Sequence, residues 1–585
     1  MGSVGAVDSM GSVGSVVSAV VGFVQPVPWL VISPPLAVAV TALLVLVVDS
    51  FAIPRRRGIA PRLALAGLLV GLFLVMATPV WSTSWMDGAF CAGGAVEPWL
   101  TSACSYVGDP FTWSFQFLIA GAGVIVVLLS TGKGRARDPE ATGPGTGTLG
   151  TGTPGTGTLG GGIPTGEYHF LLLASAAGAM TLAAARDLIT LVVALEVVSL
   201  PVFALVGLRR GDRRGAEGAL KFFLVSVVSV AVMLFGVSLV YGVTGTMYLD
   251  RIAAALHAPG PASPVGYGGP LAPMPALPGG DLAAVAGLGV MLTLVGLAFK
   301  VASVPFHFWV PDTYVGAPVP VAAYLSVVSK AAGFAGILLV LGWAFPGYVR
   351  LWAPVVGVLA AATMTLGNLV ALRQRNAVRL LAWSSVAQAG YLLVPLAASN
   401  GYVKGTTLTT TMAYLLIYVV ANLGAFAVVS LTVSSGPGRL LGDYRGLFWR
   451  RPGRALALGF FLLALAGLPP GVFGLFGKFV LFRAAIDGGA GWLAVVMAVN
   501  VVIALAYYLP WTALLFRSPE GAAESGAEAA GETGGAVAGP AGAVAAVWAG
   551  PWPARITVCI LVVIAVLLSV FPDLALDSVS YPARV

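Results

Sequence analysis

The chain has 585 residues, of which 58% are hydrophobic and 9% charged, with a formal net charge of +8. Soluble proteins carry about 25% charged residues, and a soluble chain of this length divides into several domains that each need a polar surface. There are too few charges to coat such surfaces, so the main solvent must be lipid. The positive residues form short Arg clusters between apolar runs, not a basic face interleaved with aromatics. That pattern excludes nucleic acid as a partner and reads as a topology signal. Cys91, Cys104 and Cys559 show no CxxC or Cys/His ligand spacing, which excludes a cysteine metal cluster.

A helix crosses the hydrocarbon core with about 20 apolar residues. Residues 1–26 are Gly/Ser/Val-rich, lack a positive n-region, and read as a flexible N-terminus, not a cleaved signal. The hydropathy predicts helices at 29–49, 60–80 and 112–130, so that 27–137 holds the first three. A Gly/Thr/Pro-rich tract at 138–166 is expected to be a disordered loop. A core at 167–517 carries helices at 168–185, 187–207, 218–243, 282–308, 317–343, 351–372, 378–397, 407–433, 455–485 and 490–516. Within it, 258–281 is a Pro/Gly-rich loop. An Ala/Gly/Glu-rich flexible loop at 518–550 precedes the last helix, 555–571, within 551–585. The fold class is all-α, a polytopic integral membrane protein of about 14 transmembrane helices.

Charge tests that count. With the N-terminus outside, loops joining odd- to even-numbered helices hold 21 of the 31 Lys and Arg, the opposite loops 6. A miscounted helix would scramble this asymmetry downstream of the error. Both termini are then outside, as is the loop with Cys91 and Cys104. A disulfide is chemically allowed there, and the sequence leaves the pairing open.

The remaining four positive residues, Lys221, Lys300, Lys330 and Lys478, fall inside spans. The chain has only 6 lysines against 25 arginines, yet every positive charge deeper in a span than its first or last three residues is Lys. A buried Lys can shed its proton, whereas Arg stays charged. Each such residue costs roughly 2.5–3.5 kcal/mol at the helix centre, which points to function. Lys221 lies near the start of its span, where its stem can also snorkel to the interface. Glu196 is near the middle of 187–207, either protonated or paired. Glu217 precedes Lys221 by four residues, on the same helix face. Two spans carry helix breakers close to a lysine: Pro305 after Lys300, and Pro469 and Pro470 before Lys478. Such breaks are tolerated at membrane depth where freed backbone meets water or protein. His307 closes the first broken segment, and its ring suits proton relay.

Residues 300–320, KVASVPFHFWVPDTYVGAPVP, resemble the broken-helix signature of the antiporter-like subunits of respiratory complex I. LEVVSL at 195–200, AEGALKFF at 216–223, RLLAWSSVAQAGY at 379–391 and AGLPPGVFGLFGKF at 466–479 resemble further blocks. The run Asp312-Thr313-Tyr314-Val315-Gly316-Ala317-Pro318 is similar to the subunit N family rather than to subunits L and M. The resemblance spans about 27–571. It implies inverted antiporter-like repeats and a proton relay of Glu196, Lys221, Lys300, His307, Lys330 and Lys478, with Glu196 and Lys221 as the coupling pair. Glu217, Pro305, Asp312, Pro469 and Pro470 are supporting residues. It also implies a bacterial cell membrane and, as partners, the other complex I membrane-arm subunits: a neighbouring antiporter-like subunit and small helical subunits. NADH, FMN, iron–sulfur clusters and quinone are implied on those partner subunits, with no cofactor held by this chain. The Arg/Ala/Gly bias suggests menaquinone. Subunits of multi-protein sodium/proton antiporters and membrane-bound hydrogenases share these motifs and form the alternative assignment. One departure is Gln388, where many members carry His.

Overall fold

The computed structural model describes residues 28–51, 58–81, 87–92, 103–131, 163–256, 281–399, 405–434, 438–518 and 552–573. The expected N-terminal segment 1–26 lies outside them, as do nearly all of the loops at 138–166, 258–281 and 518–550. At the edge of the first loop the expectation needs correcting, because a helix already begins at Thr165.

In chain order the helices are α1 (Trp29–Phe51), α2 (Ile59–Trp81), α3 (Pro110–Ser130), α4 (Thr165–Ala184), α5 (Leu188–Gly207), α6 (Arg213–Thr244) and the short α7 (Leu249–Leu256). Next come α8 (Asp281–Lys300), α9 (Trp309–Gly316), α10 (Val319–Tyr324) and α11 (Lys330–Leu339), the last two joined by a π turn at Leu325–Ser329. The chain continues through α12 (Val349–Ala371), α13 (Ala377–Ala397), α14 (Gly405–Val433), α15 (Leu447–Arg450), α16 (Pro452–Ala466), α17 (Val472–Asp487), α18 (Gly491–Phe516) and α19 (Trp552–Val570). Among the described residues, twelve helical segments are long and apolar enough to cross a membrane. The other two expected spans are α4, whose first turn holds Glu167, and the stretch 452–487, split into α16 and α17. Large side chains such as Leu43, Phe73, Val228, Val495 and Val563 stay exposed on the flanks. That surface is stable against lipid or against the apolar flank of another membrane protein.

The loops alternate between two ends, as the charge asymmetry requires. At one end the strands β1 (Asp87–Ala92) and β2 (Ala103–Gly108) form an antiparallel hairpin with Cys91 opposite Cys104, and these two are disulfide-bonded. Arg186 N–H donates to Ser105 O at 2.9 Å, and Leu249 N–H to Arg186 O at 3.0 Å, so three loops of that end meet there. At the opposite end, Ala377 N–H donates to Arg439 O at 2.8 Å and Gly446 N–H to Leu514 O at 3.2 Å. This second end carries the Arg clusters. Asp109 and Asp187 cap α3 and α5 at the first end, while Asp212 and Asn376 cap α6 and α13 at the Arg-rich end.

The middle ten spans form two units of five. In the first, α4 packs on α5, α5 on α6, α6 on both α8 and α9, and α11 on α4 and α8. In the second, α12 packs on α13, α13 on α14, α14 on both α16 and α17, and α18 on α12 and α16. The neighbour pattern is the same when each helix is moved on by five spans. Five is odd, so the second unit enters from the opposite side and the repeat is inverted. The broken span is fourth in each unit. The units join where α9 packs on α13 and α10 on α14.

The end away from the Arg clusters is held by a buried ion pair. Arg186 reaches Asp109 at 2.6 Å, lies beside the rings of Phe111 and Trp343, and donates to the carbonyls of Ala183 and Ala185. Removing one member of such a pair strands the other charge, at a cost of about 3–5 kcal/mol. Asp109→Ala should therefore lower the unfolding midpoint in detergent well below that of the parent. Asp109→Ala combined with Arg186→Met should recover part of the loss.

Candidate proton-relay site

Both broken spans stop in the same way. At the end of α8, Ala302 N–H donates to Phe299 O at 3.0 Å and Ser303 N–H to Ala298 O at 2.9 Å. At the end of α16, Gly467 N–H donates to Ala464 O at 3.0 Å and Leu468 N–H to Leu463 O at 2.9 Å. These paired bonds are the Schellman termination, whose pivot residue is left-handed and usually Gly. The pivot is Gly467 (φ 83°) in the second unit but Ala302 (φ 62°) in the first. Pro305, and Pro469 with Pro470, then prevent the helix from resuming at once. Thr363 of α12 fills the first gap, its hydroxyl accepting from Val304 N–H at 3.0 Å.

Three lysines sit at these breaks or beside them, and all are buried: Lys300 at 5% exposure, Lys330 at 2% and Lys478 at 3%. Lys300, the last residue of α8, donates to the hydroxyl of Ser199 on α5. Lys330 begins α11, directly after the π turn, and donates to Ser385 O at 2.5 Å and Ser385 Oγ at 2.8 Å on α13. Lys478 of α17 donates at 2.6 Å to Ala466 O, a carbonyl released by the break in its own span. Among the described residues no carboxylate comes within 4 Å of any of the three ammonium groups, although the Glu196 carboxylate is near enough to Lys300 to act on its charge. Each is held by neutral oxygens and faces an aromatic ring: Phe299 for Lys300, Tyr418 for Lys330 and Tyr391 for Lys478. Such a site tolerates both the charged and the neutral amine, which Arg could not provide.

The spacing between lysines is bridged by small residues and polar groups. A methyl at Gly333, one turn beyond Lys330, would lie 3.1 Å from Lys300 Cβ, so α8 and α11 cross with the two lysines about one turn apart. Between Lys330 and Lys478, Tyr414 of α14 donates to Gln388 Oε1 at 2.6 Å, and Gln388 Nε2 reaches Leu465 O at 3.4 Å. A small cavity opens there, lined by Gln388, Tyr414, Tyr418, Ala421 and Leu465 among others. Tyr418 also donates to Ser326 O at 2.8 Å, inside the π turn that precedes Lys330. Several buried polar atoms near the lysines lack a partner among the described residues: His307 Nδ1, Asn422 Oδ1 and Glu196 Oε1. Orphaned buried atoms of this kind are where proteins hold water. His307 is 2% exposed, with its ring 5.4 Å from that of Trp383.

Two expectations change. Lys221 is not enclosed: its side chain is 46% exposed on the flank of α6. It also does not pair with Glu196. Its ammonium meets Glu217 at 2.6 Å, as the four-residue spacing allows, and Asp312 of α9 at 2.8 Å. Asp312 in turn meets Arg379 of α13 at 3.2 Å. Four charges thus tie α6, α9 and α13 together at the Arg-rich end. Glu196 lies instead on α5 one turn before Ser199, the residue that holds Lys300. Sequence spacing brings Glu217 to Lys221 along one helix, but the Asp312 contact crosses between helices and left no signal in the sequence.

Inverted five-helix units, each with a broken fourth span and buried lysines, define an antiporter-like membrane subunit. Residues 185–504 match the family described as NADH:quinone oxidoreductase/Mrp antiporter, TM. NADH-quinone oxidoreductase subunit N 2 of Streptomyces griseus is 52% identical over 507 residues, covering 86% of this chain and 85% of that protein. A chain of respiratory complex I from Thermus thermophilus is 29% identical, covers 94% of this chain and 99% of its own, and superposes with a TM-score of 0.66. A chain of the Mrp complex from Dietzia shares the fold at a TM-score of 0.71, with 22% identity over 94% of this chain and 96% of its own. The chain belongs to the NADH-quinone oxidoreductase subunit N family.

The two pivots differ in their tolerance. A methyl at Gly467 would adopt a left-handed φ and sit 2.9 Å from Lys478 Cδ. Gly467→Ala should cost at least about 1–2 kcal/mol and displace the Lys478 ammonium. Ala302→Gly should be neutral or stabilising by about 1 kcal/mol. Melting curves of the two variants in detergent check the opposite signs.

Proposed function

We propose that the chain carries protons across a bacterial cell membrane as the N-type membrane-arm subunit of a proton-pumping NADH:quinone oxidoreductase. The observation that carries this reading is the set of three buried lysines held by neutral oxygens, two of them on the broken spans and Lys330 between them. Support for the assembly comes from the relative in Streptomyces griseus and from the complex I chain of Thermus thermophilus. The positive-inside rule puts the Arg-rich end in the cytoplasm and both termini outside. In this reading the nicotinamide, flavin, iron–sulfur and quinone chemistry belongs to other subunits of the enzyme. The partners in the membrane are a neighbouring antiporter-like subunit and small helical subunits.

Protons pass from Lys300, with His307 beside the break, to Lys330, and through the hydrated pocket at Gln388 and Tyr414 to Lys478. Exit is on the side opposite the Arg clusters. Each amine gives up one proton as it receives the next, so the chain returns to its starting state. Coupling acts through the exposed cluster. Asp312 is shared between Lys221 on α6 and Arg379 on α13, and Ser385, which holds Lys330, lies six residues after Arg379. A change of charge near Lys221 or Glu196 releases Asp312 and shifts α9 against α13. A tenfold change in proton affinity corresponds to about 1.4 kcal/mol, so a small displacement of the Ser385 oxygens suffices to move a proton on.

Lys330→Met in the assembled complex tests this. Inverted membrane vesicles should oxidise NADH while building little or no pH gradient. Near-normal pumping would refute the assignment.

A further inference from the structure

The relay begins at Lys300, and nothing described so far brings a proton to it from the Arg-rich end. Two consecutive residues on α4, Tyr168 and His169, are buried at 0% and 2% exposure. His169 Nε2 has no partner among the described residues, and the Tyr168 hydroxyl has the side chain of Ser130 beside it. His169 Nδ1 lies 2.6 Å from Thr165 O. That contact assigns the proton of the neutral ring to Nδ1 and leaves the Nε2 lone pair free to accept another. Deeper in the same unit, Tyr324 of α10 donates to Ser175 Oγ at 2.9 Å, and Ser175 donates to Val198 O at 2.8 Å. The next residue, Ser199, is the one that receives Lys300.

Depth orders these groups. α4 starts at the Arg-rich end, so His169 lies about 6 Å in and Ser175 about 15 Å in at helical rise. Ser175 is seven residues beyond Tyr168 and so on the same face of α4. Hydrogen bonds that merely fasten helices together account for the contact between Tyr324 and Ser175. They do not account for the orphaned His169 Nε2, which is costly when buried dry and ordinary when water meets it.

We infer that His169, Tyr168, Tyr324 and Ser175 form the proton-uptake route from the Arg-rich end to Lys300 by way of Ser199. His169 takes up a proton at Nε2 and returns to the neutral ring on passing it inward. Each hydroxyl accepts one proton as it releases another, so only Lys300 ends with one more. The route rests on the relay reading above, and the test separates the two. His169→Leu, Tyr324→Phe and Ser175→Ala are each placed in the complete complex beside Lys330→Met. Protons pumped per NADH are measured in inverted vesicles, together with complex content and NADH oxidation in the presence of an uncoupler. Tyr324→Phe and Ser175→Ala remove little more than an oxygen and a hydrogen-bonding role, so they keep the test open even where His169→Leu assembles poorly.

The route is supported if pumping per NADH falls by about tenfold in His169→Leu and several-fold in Tyr324→Phe while uncoupled oxidation and complex content hold. His169→Gln, which keeps hydrogen bonding but cannot carry a proton, should not restore pumping. If Lys330→Met stops pumping while Tyr324→Phe and Ser175→Ala pump like the parent, the uptake route is wrong and the relay stands. Normal pumping in Lys330→Met overturns the relay, and the route with it.

Discussion

An ammonium group in a dry, low-dielectric interior is expensive unless it is paired, and pairing with a carboxylate fixes the charge in place. The interior of this protein takes neither extreme. Lys300, Lys330 and Lys478 are surrounded by hydroxyls, carbonyls and ring faces, which stabilise a positive charge without requiring it. Replacing Ser199 or Ser385 by a carboxylate would make a static ion pair. Replacing them by apolar residues would remove acceptors that stabilise the charged amine. Function depends on staying between these limits.

The fold supplies such surroundings by interrupting helices. An unbroken helix uses all its own carbonyls, so a lysine crossing beside it finds no acceptor. The stop at Gly467 frees the Ala466 carbonyl for Lys478, and the π turn before Lys330 frees the Ser326 carbonyl for Tyr418. Because the repeat has an odd number of spans, the two units stand in opposite orientations across the membrane. The surface where α9 and α10 meet α13 and α14 joins them. The same junction carries Asp312 at its rim, so charges on the flank are mechanically connected to the helix that holds Lys330.

Much of this was legible in the sequence. Hydropathy and Arg distribution gave the spans and their alternation, since both follow from the cost of polar groups in lipid. Lysine in place of arginine marked the buried amines, and the prolines marked the breaks. What could not be read depends on contacts between helices. Nothing in the spacing links Lys221 to Asp312, 91 positions away, and the expected pairing with Glu196 gave way to that contact. Gly467 is recognisable as a helix stop, but Ala302 is not, because alanine ordinarily favours continuing. His169 drew no notice beside Tyr168, because a histidine near a helix start is ordinary until its burial and its unused nitrogen are seen. By sequence Arg186 is one more charge between spans, whereas in the structure it is a buried pin for three loops of one end.

The central claim is that the three enclosed amines share a hydrated path. It is met most directly by a density map of the assembled complex in lipid, at a resolution that shows ordered water. The account requires water beside His307 Nδ1, in the pocket at Gln388 and Tyr414, and next to the Lys478 ammonium. A well-ordered map in which these places are filled by side chains, with no water between Lys330 and Lys478, would contradict it.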